Sequence, residues 1–136
     1  MNPTQISVPA LAYLGDCVIE LCVRSRLVEA GLSTSAHLNA AALSFVRAGA
    51  QAEAMKRLLP HLTEEEESYF RRGRNLGHTK NVPKSATVSE YRSATGMEVL
   101  FGFLHASGNR ERIEALFEIA YPDMDQSIQN FLKGNE

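Results

Sequence analysis

The chain has 136 residues, enough for one compact core and too few for two, since domains usually hold roughly 100–150 residues. Hydrophobic residues make up 44% and charged residues 22%, which excludes a disordered, collagen-like or supercharged polypeptide. A formal net charge of −2 excludes indiscriminate polyanion binding, so a polyanion would have to be met by a local basic stretch.

From Leu11 to Val23 only Asp16 and Glu20 are charged. Apolar residues recur at Leu11, Leu14, Val18, Leu21 and Cys22, the spacing of a helix, and Gly31 ends it as a C-cap. Cys17 and Cys22 fall on different faces, beyond disulfide reach, and read as reduced packing residues. Ser33, Thr34 and Ser35 offer N-caps for a second helix running to about Leu59, where Pro60 stops it. Eight alanines between Ala36 and Ala54 suit close helix packing. Thr63 and Glu66 form a capping box, with Glu64 and Glu65 in the first turn, for a third helix to about Arg74. Gly73, Gly77 and Pro83 then break the chain into a loop.

A fourth helix is predicted from about Thr87 to Ala106, burying Met97, Leu100, Phe101 and Leu104 and stopped by Gly108. Gly96 and Gly102 inside it each cost roughly 1 kcal/mol against alanine, which the close approach of another helix would offset. Asn109 caps a fifth helix that turns Ile113, Leu116, Phe117 and Ala120 inward and ends at Pro122, and Asp123 or Asp125 starts a short last helix. Sustained apolar–polar alternation is missing throughout, so the fold reads as all-α, a single domain over residues 1–136 with about six helices. No run approaches the ~20 apolar residues that span a bilayer, and no basic cluster with a long apolar segment follows Met1. The expectation is a cytoplasmic protein with no membrane partner.

Two groups of residues point to chemistry. Carboxylates are expensive in apolar helices, where a lone ionised group costs several kcal/mol. Asp16 and Glu98 both sit in such runs with no basic residue three or four positions away, so a cation or a distant arginine must neutralise them. Oxygen ligation by one or two carboxylates suits Mg²⁺; a tertiary salt bridge is the alternative. Glu20 shares the face of Asp16, yet it also stands four residues before Arg24, the favourable orientation for an ion pair.

The second group is the segment from Ser68 to Ser89, which carries Arg71, Arg72, Arg74, Lys80 and Lys84 and no acid. Such cations can follow spaced phosphates, or they can form a solvated basic loop that balances Glu64 to Glu67. Tyr91 and Arg92 could cap, stack or touch phosphate. The four histidines have no metal-ligand spacing, neither cysteine has a nearby histidine to activate it, and no glycine-rich nucleotide cradle is present.

Leu11-Ala-Tyr-Leu-Gly-Asp-Cys-Val-Ile-Glu20 resembles the signature helix of the ribonuclease III catalytic domain, in which the aspartate matched by Asp16 binds metal. Glu98, in Met-Glu-Val-Leu-Phe-Gly, matches the second metal carboxylate of that family. Arg71-Arg-Gly-Arg-Asn75, Val82-Pro-Lys84 and Glu90-Tyr-Arg-Ser-Ala-Thr95 extend the similarity to the short branch called Mini-ribonuclease III, over about residues 9–121. Full-length ribonuclease III carries acids where this chain has Ala12 and Thr95, so the implied metal site is sparser.

The resemblance implies a homodimeric, Mg²⁺-dependent endoribonuclease that cuts double-stranded RNA in precursors of large-subunit (23S) ribosomal RNA and leaves 5′-phosphate products. Asp16 and Glu98 would be its metal-binding and catalytic residues. Arg71, Arg72, Arg74, Lys80 and Lys84 would contact phosphates, and a ribosomal protein is a further candidate partner. No double-stranded RNA-binding domain follows the matched stretch, so the catalytic domain itself is expected to hold RNA. A non-catalytic RNA-binding or ribosome-assembly module of the same fold is the alternative.

Overall fold

A computed structural model of the chain describes residues 1–76, 82 and 84–134. Among them are seven α-helices and no strand: α1 (Val8–Glu29), α2 (Ser35–Val46), α3 (Ala48–Leu58), α4 (Glu64–Arg74), α5 (Val88–Ala106), α6 (Arg110–Ala120) and α7 (Met124–Gly134). Short 3₁₀ turns at Pro3–Gln5 and Leu59–His61 precede α1 and follow α3. The all-α expectation is met, and the predicted boundaries of α1, α4, α5 and α6 hold. Gly31 (φ +96°) and Gly108 (φ +71°) take the left-handed conformation just beyond α1 and α5, as C-cap glycines do.

The predicted second helix is in fact two, which raises the count from about six to seven. Arg47 takes extended backbone (φ −61°, ψ 151°) and is at once the last cap of α2 and the first of α3. That break removes the helical partner of the Phe45 carbonyl, and the Tyr121 hydroxyl donates to it instead at 2.8 Å from beyond α6. The bend frees α3 to pack on α5 and α6. Arg47 is itself no helix breaker, and the compensating hydroxyl lies 76 residues after Phe45, so local sequence does not mark the break.

The central element is α5, packed on α1, α4, α3 and α6. Met97, Leu100, Phe101 and Leu104 are almost fully buried there against Leu11, Ile19 and Leu27 of α1, Met55 and Leu58 of α3, and Leu116 and Phe117 of α6. The Thr63–Glu66 capping box forms as expected. Glu66 is also gripped by Arg112 of α6 through two hydrogen bonds at 2.8 and 2.9 Å, and these hold its carboxyl below the usual carboxylate range. This pair, with Glu66 buried and Arg112 half-buried, fixes the start of α4, so that its far end is delivered against α5.

Two expectations about α1 need correction. Leu21 is 66% exposed rather than inward, and Cys17 is exposed rather than packed. Both cysteines are free, as expected. A helix that is apolar nearly all round does not reveal from its spacing which side the chain covers.

Candidate active site

The site is built by close backbone approach. A Cβ on Gly15 would lie 1.6 Å from the Glu98 carbonyl oxygen, and one on Gly102 would lie 2.0 Å from the Leu11 carbonyl oxygen. The glycines therefore let α1 and α5 touch main chain to main chain, which accounts for the costly Gly102 inside α5. Because Asp16 follows Gly15 and the contact falls on Glu98 itself, the crossing sets the two carboxyl groups side by side.

A second crossing works in the same way. A Cβ on Gly73 of α4 would stand 2.8 Å from the Gly96 Cα of α5 and 2.7 Å from a Val99 methyl. Arg74, the next residue, is thereby carried to the rim of the same site. The resulting cleft, of about 270 Å³, is lined by Ala12 and Asp16 from α1, Arg74 from α4, and Arg92, Thr95 and Glu98 from α5, among others.

Burial pushes the Glu98 carboxyl up to about 8, with the adjacent charge of Asp16 and a hydrogen bond to it acting in the same direction. A carboxyl so placed holds its proton at neutral pH until a cation replaces it. No group of three or more His, Cys, Asp and Glu side chains that could hold a metal occurs among the described residues. The pair therefore offers oxygen ligands only, which fits a hard divalent cation that keeps water in its remaining positions. Ala12 and Thr95, where the resemblance would place further acids, do line the cleft, and the Thr95 hydroxyl donates to the Tyr91 carbonyl at 3.1 Å.

The other predicted residues divide. Glu20 pairs with Arg24 at 3.0 Å and is no part of the cleft lining. Arg71 pairs with Glu67 at 3.2 Å, and Arg72 lies over the Tyr69 ring at 4.5 Å, so neither lines the cleft. Lys84 is exposed, and Lys80 falls outside the described residues. Arg92, which the sequence left without a definite role, does line the cleft. Its signals were a basic side chain able to touch phosphate and a place in the Glu90–Thr95 string, six residues before Glu98.

Residues 9–109 match the model of the Ribonuclease III domain family. The chain belongs to that family. Its relatives place it in the Mini-ribonuclease III branch: it is 43% identical to the Mini-ribonuclease 3 of Symbiobacterium thermophilum over 120 residues, covering 88% of this chain and 91% of that one. Identity to the Mini-ribonuclease 3 of Desulfitobacterium hafniense is 46% over 110 residues, covering 79% and 68%. A crystal structure of a Fusobacterium nucleatum protein superposes with a TM-score of 0.78 at 28% identity, over 90% of this chain and 98% of that one. The cleft thus lies in the domain that gives the family its name, and Asp16 and Glu98 both fall inside the matched span.

Proposed function

We propose that the protein is a Mg²⁺-dependent endoribonuclease that cuts double-stranded RNA and leaves 5′-phosphate ends. The observation that carries this reading is the Asp16–Glu98 pair, two carboxyls driven together by the Gly15–Gly102 crossing, in an open cleft, with the Glu98 proton held abnormally tightly. Asp16 and Glu98 would hold the ion, which when bound would acidify a water for attack on phosphorus and offset charge on the scissile phosphate. Glu98 would have to give up its proton for both acids to present carboxylate oxygens to the ion. Thr95 keeps its hydroxyl on the Tyr91 carbonyl and leaves the ligand set to the two acids. Arg74 at the rim would meet the substrate backbone, and Arg71, Arg72, Lys80 and Lys84 would extend that contact along the duplex.

We further infer a homodimer, formed through α1. Leu21 is 66% exposed and lines, with Leu14, Val18 and Cys22 among others, a mostly apolar groove of about 450 Å³ between α1 and α6. A second copy would cover this face and set two cleavage sites across one duplex. The proposed substrate is precursor large-subunit ribosomal RNA, the proposed location is the cytoplasm, and a ribosomal protein remains a candidate partner.

The test is incubation of the purified protein with duplex RNA in Mg²⁺ and in chelator, with the product ends mapped. Cleavage to 5′-phosphate fragments only with the ion supports the reading. Tight binding without cleavage in any divalent ion would favour the non-catalytic module.

A further inference from the structure

A second groove, of about 470 Å³, opens beside the acidic cleft between the end of α4 and the start of α5. Arg74 and Arg92 line both cavities, so they stand on the wall that the two share. The rest of the groove is formed by Asn75, Ser89 and Ser93 with the apolar surfaces of Leu59, Phe70 and Val88, and no acid lines it.

These two arginines differ from most of the others. Arg24, Arg26, Arg71 and Arg112 are each engaged by a glutamate, Arg57 donates to the Ala120 carbonyl at 2.8 Å, and Arg72 is stacked on Tyr69. Among the described residues neither Arg74 nor Arg92 has a carboxylate within 4.0 Å. Arg74 donates to the Asn75 amide oxygen at 3.4 Å and stands over the Phe70 ring at 5.7 Å. Two guanidinium groups without a carboxylate partner, beside two carboxyl groups, form a charge boundary: the acid side repels phosphate unless a cation is present, and the arginine side attracts it. Guanidinium suits a phosphodiester because its N–H groups can meet two phosphate oxygens at once.

We propose that Arg74 and Arg92 clamp one backbone phosphate of the RNA strand next to the linkage being cut, and that the groove beyond them carries that strand out of the site. This rests on the nuclease reading above and adds to it a phosphate subsite outside the Asp16–Glu98 pair, with Arg92 as its new member. The strand enters over the carboxyl pair, passes between the guanidinium groups and lies along Asn75, Ser89 and Ser93. The clamp fixes where the scissile linkage sits relative to Asp16 and Glu98, which makes Arg92 a positioning residue.

The experiment measures binding of short RNA duplexes in Ca²⁺, each carrying one charge-neutral methylphosphonate linkage at successive positions around the cleavage site. For the wild-type protein, one linkage beside the cut should weaken binding about tenfold. Arg92→Ala should weaken binding of the unmodified duplex by a similar factor and remove the penalty of that one linkage while leaving the others unchanged. Arg92→Gln should do the same, and Arg92→Lys should restore only part of the affinity because a point charge replaces the fork. Arg74→Ala should act on the same linkage, and the slope of affinity against salt should fall by about one for each phosphate that is no longer neutralised.

If the Arg92→Ala penalty simply adds to that of every neutral linkage, or if affinity does not change, the clamp does not exist. Arg92 is exposed on α5, so its variants should keep wild-type circular dichroism. Failure of the nuclease reading would appear separately, as no cleavage by the wild-type protein in Mg²⁺, since the phosphate map is read from binding.

Discussion

Glu98→Gln should stabilise the metal-free protein, and by an amount that depends on pH. The carboxyl is raised from its ordinary 4.5 to about 8, so the folded chain holds this proton more tightly than the unfolded chain does. Below about pH 4.5 both states carry the proton and nothing is lost. As pH rises from there the unfolded state ionises first, stability falls, and the loss is complete above about pH 8. At about 1.4 kcal/mol per pKa unit the ceiling is about 5 kcal/mol, and the partial exposure of the side chain brings the expected loss to about 2–3 kcal/mol. Glutamine keeps the shape and has no charge to bury. Urea unfolding in chelator at fixed protomer concentration, from about pH 5 to 9, should show the variant and wild type converging at the acid end and separating by about 2–3 kcal/mol at the alkaline end. Saturating Mg²⁺ should then raise wild-type stability and leave Glu98→Gln unmoved. Parallel pH profiles in chelator would refute the reasoning, because they would mean that the Glu98 carboxyl is not strained by burial and by Asp16.

Three further outcomes follow from the packing. Gly102→Ala puts a methyl 2.0 Å from the Leu11 carbonyl oxygen, so it should cost about 3 kcal/mol or more and pull Asp16 from Glu98, read as a lowered urea midpoint together with abolished cleavage. Tyr121→Phe leaves the Phe45 carbonyl without its partner at the α2–α3 break and should cost about 1–3 kcal/mol with cleavage at saturating RNA unchanged. Leu21→Asp places a charge on the exposed apolar face of α1 and should convert a dimer to a monomer in sedimentation, whereas an unchanged mass would move the interface elsewhere.

Much of this structure is legible in the sequence because it is local. The Thr63–Glu66 box, the glycines after α1 and α5 and the asparagine before α6 are cap signals whose meaning is settled within one helical turn. Asp16 and Glu98 stood out because an acid in an apolar run needs an explanation, and Gly102 because a glycine inside a helix needs one; the crossing of α1 and α5 accounts for Gly102 and for the partly buried Glu98, whereas Asp16 is exposed at the cleft and not buried as its apolar run suggested. What was not legible depends on contacts far apart in sequence. The break at Arg47 is made acceptable by Tyr121, and Arg74 reaches the cleft beside Arg92 where Gly73 and Gly96 bring α4 against α5. Helical spacing also counted Leu21 as inward, since periodicity marks apolar positions without telling a face that the chain covers from one that it leaves exposed.

The most direct measurement is the single-turnover rate of duplex RNA cleavage in saturating Mg²⁺ for wild type, Asp16→Asn and Glu98→Gln, each first shown to keep wild-type helical content and RNA affinity. If the paired carboxyls hold the ion, either substitution alone lowers the rate by a factor of about a thousand or more, on the order of 4 kcal/mol in the barrier. Cleavage within about tenfold of wild type by either folded, RNA-binding variant would contradict the assignment of that carboxylate and require the catalytic centre to be sought elsewhere in the chain.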